Sequence, residues 1–338
     1  MPDDQVTPAN VIPLALDEIG AARAQLGERI VTTPTQIALH PALQELVASG
    51  QLFLKLEHFQ VTGSFKARGA LLNVDALTED QRSRGVTAIS AGNHAIAVAY
   101  AARAAGTTAR IVMTSSANRL RVEACRHYGA DLVFAPDIHR GFELVQEIET
   151  REGRTLLHPF EGRTTALGTA TVGWELGQQV PDLDAVIVPV GGGGLCAGVA
   201  SAVKLLQPAC RVFGVEPFGA DSMWRSFGAG RPMAIDSVDT IADSLGAPYA
   251  MPVSFELCRR NVDAIVRVSD ADLRESMRLL AEAAKLAVEP AAAASLAALA
   301  GPLRSELAGL RVALIVCGSN IDVASFVRLV APSVEARS

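Results

Sequence analysis

The sequence predicts an α/β protein of two lobes, built on open, mostly parallel, twisted sheets with helices on both faces. Three observations carry this. From Gln51 onward, short apolar and often β-branched runs alternate with longer helical patterns, as in strands joined by crossover helices. A chain of 338 residues is long for one hydrophobic core, and two lobes are the usual solution. Its 49% hydrophobic and 20% charged residues belong to a globular protein, not a disordered one.

In chain order, the first sixteen residues carry Asp3 and Asp4, have no cationic segment and contain Pro2, Pro8 and Pro13. They read as a loose arm and not as a secretory signal. "LFLKLE" is a strand whose alternation leaves Lys55 as a solvated or snorkelling side chain, and a helix follows over 66–77. "VTAIS" precedes a helix over 94–105, "ARIVM" one over 118–128, and "DLVF" one over 138–150. "DAVIVPV" is an apolar strand after its leading Asp184, and it leads through four glycines into a helix from Leu195. "RVFGVE", "AIVRVS", a helix over 270–286 and "RVALIVC" complete the series.

The formal charge of −6 and the absence of any basic run exclude a general nucleic-acid binder. Apolar stretches such as "HAIAVAYAARAAG" are too short or too interrupted to span a bilayer. Five cysteines without a CxxC pair suggest neither a disulfide framework nor a zinc site. A cytoplasmic enzyme acting on a small molecule is the expectation.

Ligands of open α/β sheets collect at the carboxyl ends of strands, which directs attention to "SAGNHA", "GGGGLCAG" and "CGSNID". Gly191, Gly192, Gly193 and Gly194 follow an apolar strand and open a helix, the arrangement of a phosphate cradle. Gly192 to Ala197 also satisfies G-x-G-x-x-A, with Glu216 ending the next strand, so a dinucleotide-binding oxidoreductase competes for the same glycines. Lysine is scarce: four of the thirty Lys and Arg residues are lysine. Lys204 and Lys285 sit in helical patterns and read as surface charges. Lys66 opens a helix beside Phe65, where the macrodipole and burial both favour a neutral, nucleophilic amine. A dinucleotide enzyme leaves that lysine unexplained.

"ExxQxTGSFKxRGA" (57–70), "SAGNHA" (90–95), "HPFEG" (158–162), "GTATVGWEL" (168–176), "PVGGGG", "GVEPFGADS", "VEPAAAASLAAL" and "CGSNID" occur in this order over nearly the whole chain. Together they resemble the serine/threonine dehydratase family of pyridoxal-phosphate enzymes, which includes serine racemases and has the tryptophan-synthase-β-like fold, fold type II. The resemblance implies a large cofactor-binding domain from 1–84 and 162–338, a small domain over 85–161, and a homo-oligomer, with a dimer favoured. It implies pyridoxal 5'-phosphate held by Schiff-base Lys66, Phe65 against the ring, Asn93 on the ring hydroxyl, Gly191 to Gly194 with Leu195 on the phosphate, and Cys317 at the pyridine nitrogen. Ser90, Ala91, Gly92, Asn93 and His94 would receive the substrate carboxylate. Glu289 has two readings, a carboxylate near the ring or a helix boundary with Pro290. His127, His158 and Trp174 read as packing or surface residues.

The implied reaction is loss of water from a β-hydroxy amino acid, with Lys66 as the base at Cα, followed by hydrolysis of the released enamine to a 2-oxo acid and ammonia. Threonine and serine, giving 2-oxobutyrate and pyruvate, are the expected substrates; hydroxyaspartate and bulkier β-hydroxy amino acids share the reacting core. Arg140 could meet a second carboxylate, although an arginine at a helix start is ordinarily solvated. A racemase of the same fold is the alternative, but serine racemases resembling this chain place a serine where Ala91 stands, and a methyl group cannot deliver a proton. Metal-activated relatives bind a cation through two carboxylates and a carbonyl, here Glu216, Ser222 and the carbonyl of Ala220. Serine for the second acid removes a hard ligand, so neither a divalent nor a monovalent cation is expected to be required.

Overall fold

The computed structural model describes residues 10–331. Its strands are, in chain order, β1 (Thr35–Ile37), β2 (Gln51–Lys55), β3 (Val86–Ile89), β4 (Ala109–Thr114), β5 (Asp131–Ala135), β6 (Thr155–Leu156), β7 (Ala185–Pro189), β8 (Arg211–Pro217), β9 (Ala264–Val268) and β10 (Arg311–Ile315). They form a six-stranded sheet, β1-β2-β10-β7-β8-β9, and a four-stranded sheet, β5-β4-β3-β6. Every pairing is parallel except β1 with β2. β7, where "AVIVP" is buried at every position, runs between β10 and β8, as a strand covered on both faces requires.

Between the strands lie α1 (Leu16–Leu26), α2 (Pro41–Gln44), α3 (Lys66–Asp75), α4 (Glu79–Arg84), α5 (Asn93–Ala104), α6 (Arg119–His127), α7 (Ile138–Glu152), α8 (Arg163–Gln179), α9 (Gly194–Leu206), α10 (Ser222–Ala229), α11 (Pro252–Asn261), α12 (Asp270–Leu279), α13 (Pro290–Ala300) and α14 (Val323–Val330). α8 links the two helices that matter most for the site. A Cβ at Gly168 would lie 2.6 Å from Gly69 Cα of α3, and one at Gly173 would lie 2.7 Å from the Val199 carbonyl of α9. Glycine at both positions lets α8 approach each neighbour at backbone distance. The two sheets have their own apolar cores, the larger around β7, β8 and α13 and the smaller around β3, β4 and α5.

Two expectations change. The arm is not loose after residue 10: Val11 and Leu14 are buried, Arg260 Nη1 donates to the Val11 carbonyl at 2.9 Å, and Arg163 Nη2 donates to the Pro13 carbonyl at 3.1 Å. Pro2, Asp3, Asp4 and Pro8 lie outside the described residues. The helix expected over 270–286 stops being α-helical at Leu279, widens into a π-type turn over Leu280–Ala284, and ends at Lys285, which is left-handed at φ 62°. The wide turn returns the chain so that Leu286 is buried. Among the described residues, no helix is long and apolar enough to cross a membrane.

Candidate active site

Lys66 is the first residue of α3, and the chain before it is tied to the end of β10: Ser64 pairs with Gly318, and Phe65 N donates to the Cys317 carbonyl at 3.2 Å. Its Nζ lies 5.1 Å from the Phe65 ring centroid and donates to the Pro159 carbonyl. Burial pushes the amine down to about 8, against the opposing fields of Cys317 and Glu289. A neutral amine is therefore accessible near neutral pH.

Lys55 does not follow its sequence reading. It has no solvent exposure, and Nζ donates to the Thr33 carbonyl at 2.7 Å, Glu175 at 2.9 Å and Gln179 at 3.1 Å. Glu175 also receives Arg68 and Arg23, while Arg68 makes a second, two-point contact with Glu57 at 2.8 Å. The strand's alternation fails here because α8 covers the face from which Lys55 was expected to reach water. This buried cluster anchors α3 two residues after Lys66, so the reactive amine starts a helix that cannot slide.

At the end of β7 the glycine loop turns into α9. Gly193 has φ +93°, and a Cβ at Gly192 or Gly194 would run into Phe160. Among the described residues, the N–H groups of Gly191, Gly192 and Gly193 have no acceptor within the protein. Buried donors in that state call for a partner, and the N-terminus of α9 favours an anionic one. A phosphate group fits both the number of donors and the absence of side chains.

The loop from Ser90 to His94 ends β3 and starts α5 at Asn93. Ser90 Oγ accepts from Gly92 N at 3.1 Å. Asn93 Nδ2 donates to Glu289 Oε1 at 2.6 Å, and Asn93 Oδ1 accepts from Asn320 Nδ2 at 2.6 Å. Glu289 Oε2 accepts from Asn320 N at 3.0 Å, and Arg121 Nε donates to the Asn320 carbonyl at 2.8 Å while its Nη1 pairs with Asp243. Glu289 is the N-cap residue of α13, as the helix-boundary reading has it, and it also lines the cavity. Burial raises its pKa, against the field of Arg121.

Two histidines flank Lys66. His94 Nε2 donates to the Leu157 carbonyl at 2.8 Å, and His158 Nδ1 accepts from Phe160 N at 3.3 Å and Glu161 N at 3.0 Å. Burial, helped by the positive field of Lys66, lowers them to about 3 and about 4. Both rings are thus neutral and leave the amine without a competing cation. His158, read from sequence as packing, lines the cavity.

Lys66, the glycine loop, the 90–94 loop, Arg121, His158 and Glu289 border one cavity of about 540 Å³, together with Leu195 and Cys317. Burial pushes the Cys317 thiol well above its ordinary value, so it is neutral. Glu216, Ala220 and Ser222 lie elsewhere, at the end of β8 and the start of α10. Glu216 accepts from Met223 N at 3.0 Å and Trp224 N at 2.6 Å, and Ser222 Oγ donates to the Ala247 carbonyl at 3.1 Å. Among the described residues, no group of three or more His, Cys, Asp or Glu could hold a metal ion. Arg140 pairs with Glu143 at 2.8 Å and Glu147 at 2.9 Å and does not line the cavity. Arg121, Asp243 and the α7 face escaped the sequence reading. Asn320 lay in a quoted motif without a role, and no motif or periodicity marks Arg121 or Asp243.

The family model for pyridoxal-phosphate dependent enzymes matches residues 29–318. A phenylserine dehydratase of Ralstonia pickettii is 52% identical over 93% of this chain and 95% of its own length. An L-threonine ammonia-lyase of Thermotoga maritima is 36% identical over 94% of this chain and 78% of its own. Maize serine racemase superposes with a TM-score of 0.87 at 34% identity, covering 94% of this chain and 97% of that one. With a matching family model over most of its length and relatives 52% and 36% identical over nearly all of it, this chain belongs to the pyridoxal-phosphate dependent enzymes.

Proposed function

We propose that the enzyme is an ammonia-lyase that eliminates water from a β-hydroxy α-amino acid, after which the released enamine takes up water again and loses ammonia to leave a 2-oxo acid. One observation carries the reading: Lys66, the glycine cradle of α9 and the 90–94 loop at the start of α5 face the same cavity. Gly191 to Gly194 and Leu195 would hold the phosphate, Phe65 and Asn93 would fix the ring, and Cys317 would stand at its nitrogen. Pyridoxal phosphate, when bound, supplies the electron sink that makes the Cα proton labile. Lys66, with its amine lowered by burial, takes that proton. The N-terminal turn of α5, opened by Ser90, Ala91 and Gly92, receives the substrate carboxylate as helix N-termini receive anions. Cys317, a neutral thiol, is a poor proton source for the ring and favours elimination over a long-lived carbanion. At Ala91 there is no proton donor, which disfavours racemisation.

Threonine and serine carry the reacting core, and so does phenylserine, named for the Ralstonia relative. We read the preferred substrate as the bulkier, phenylserine-like kind, because one wall of the cavity is apolar. The test is to supply the cofactor-loaded enzyme with threo-phenylserine, L-threonine and L-serine and to measure ammonia and 2-oxo acid. Release in equal amounts is expected, fastest with phenylserine. Racemised substrate without oxo acid, or no turnover of any of the three, would remove the ammonia-lyase reading.

A further inference from the structure

The cavity has two unlike walls. The polar one holds the reacting groups described above. The apolar one is made by Ile89 at the end of β3, by Ile138, Phe142 and Val145 of α7, and by Leu156 of β6. On α7 these side chains recur at intervals of four and three residues, so they share one helical face.

That face is held close to the reacting loop. A Cβ at Gly141 would lie 2.9 Å from Ile89 Cδ1, so glycine lets α7 pack against the last residue of β3, immediately before Ser90. Ile138 and Phe142 keep 46% and 40% of their surface exposed although they flank this packed seam. Large apolar side chains left open to a cavity are a binding surface in waiting. The charges point the same way. Arg140, on the same helix, is turned to Glu143 and Glu147. Glu149 lines the cavity itself, where it accepts a backbone hydrogen bond from Leu156.

We infer that the α7 face, centred on Phe142, receives the β-substituent of the substrate and selects an aryl group over methyl or hydrogen and over a second carboxylate. This rests on the ammonia-lyase reading for the identity of the substrate, but the wall can be tested without turnover. An aryl ring gains apolar contact with Ile138, Phe142 and Val145. A carboxylate meets no cation on this wall and is repelled by Glu149.

Two measurements on cofactor-loaded enzyme decide it. The first is calorimetric binding of L-phenylalanine and L-alanine, which lack the β-hydroxyl. L-phenylalanine should bind the wild type at least about tenfold more tightly than L-alanine, and Phe142→Ala should remove most of that margin, since burying such a side chain is worth roughly 10- to 100-fold. The second is kcat/KM in Phe142→Ala, expected to fall about 10- to 100-fold for phenylserine, chiefly through KM, and to stay within about threefold for threonine. An unaltered preference for phenylalanine, or equal losses with both substrates, would overturn the assignment. If the wild type turns over neither substrate but still prefers phenylalanine in a Phe142-dependent way, the wall stands and the ammonia-lyase reading falls.

Discussion

Lys55, the last residue of β2, and Lys66, the first of α3, sit eleven residues apart and both are at least partly buried, yet their hydrogen-bond partners differ in charge. Lys55 is met by Glu175 and by two oxygens from Thr33 and Gln179. Burial lowers its pKa, but the fields of Glu57 and Glu175 oppose the shift. Lys66 meets the neutral carbonyl of Pro159 and two neutralised histidines, and burial takes its amine to about 8. Depth alone does not make a lysine reactive. What differs is the directly bonded charge: Lys55 donates to the Glu175 carboxylate, whereas Lys66 donates to a neutral carbonyl and feels Glu289 and Cys317 only through their fields.

The largest effect should come from the uncompensated end. Lys66→Ala is expected to reduce turnover at least about 1,000-fold and to abolish the near-visible absorbance of cofactor-loaded protein. Absorbance that survives the substitution and is still bleached by borohydride would place the covalent link on another lysine. At the compensated end, Arg68→Ala leaves buried Glu57 without its arginine, while Glu175 keeps Lys55 and Arg23. Urea unfolding should register a loss of about 3–5 kcal/mol, and a loss near zero would show that the cluster is not what anchors α3. Lys55→Met should be milder, about 1–3 kcal/mol, because Glu175 keeps Arg68 and Arg23.

A titration separates the two lysines further. Lys66 is lowered in the folded state, so between about pH 8 and the unfolded lysine value of about 10.4 the unfolded chain binds a proton that the folded one does not. Stability of the cofactor-free protein should therefore rise with pH across that window and lose this contribution below it. Lys66→Met should flatten the slope. An unchanged slope would mean that the amine is not held neutral. The smallest effect is expected at Glu216, whose carboxylate accepts from two backbone N–H groups. Chelation with EDTA should change kcat/KM by less than about twofold, and restoration of lost activity by magnesium would reveal a cation site.

Much of this was readable before any fold. The parallel α/β architecture follows from the alternation of apolar strands and helical patterns. The phosphate cradle follows from four glycines between "AVIVP" and α9, and Lys66 from its scarcity and its place at a helix start. These are local signals, because strand burial, backbone permissiveness and helix polarity are carried by neighbouring residues. The ordered motifs extended that reading to the cofactor and family. What escaped was set by contacts between distant segments. Lys55 appeared solvated because alternation does not say which element covers a face, and α8 comes more than a hundred residues later. Arg121 meets Asp243, and Asn93 meets Glu289 and Asn320, only because the fold brings α6 and the start of α5 against segments more than a hundred residues away in the chain. The apolar α7 face has the periodicity of any amphipathic helix, and only the open space in front of it separates a binding wall from a core. Sequence determined which backbone groups could bind a phosphate and which amine could react. Tertiary structure decided which charges were cancelled and which surfaces were left open, because electrostatic compensation and cavity shape depend on distance in space and not along the chain.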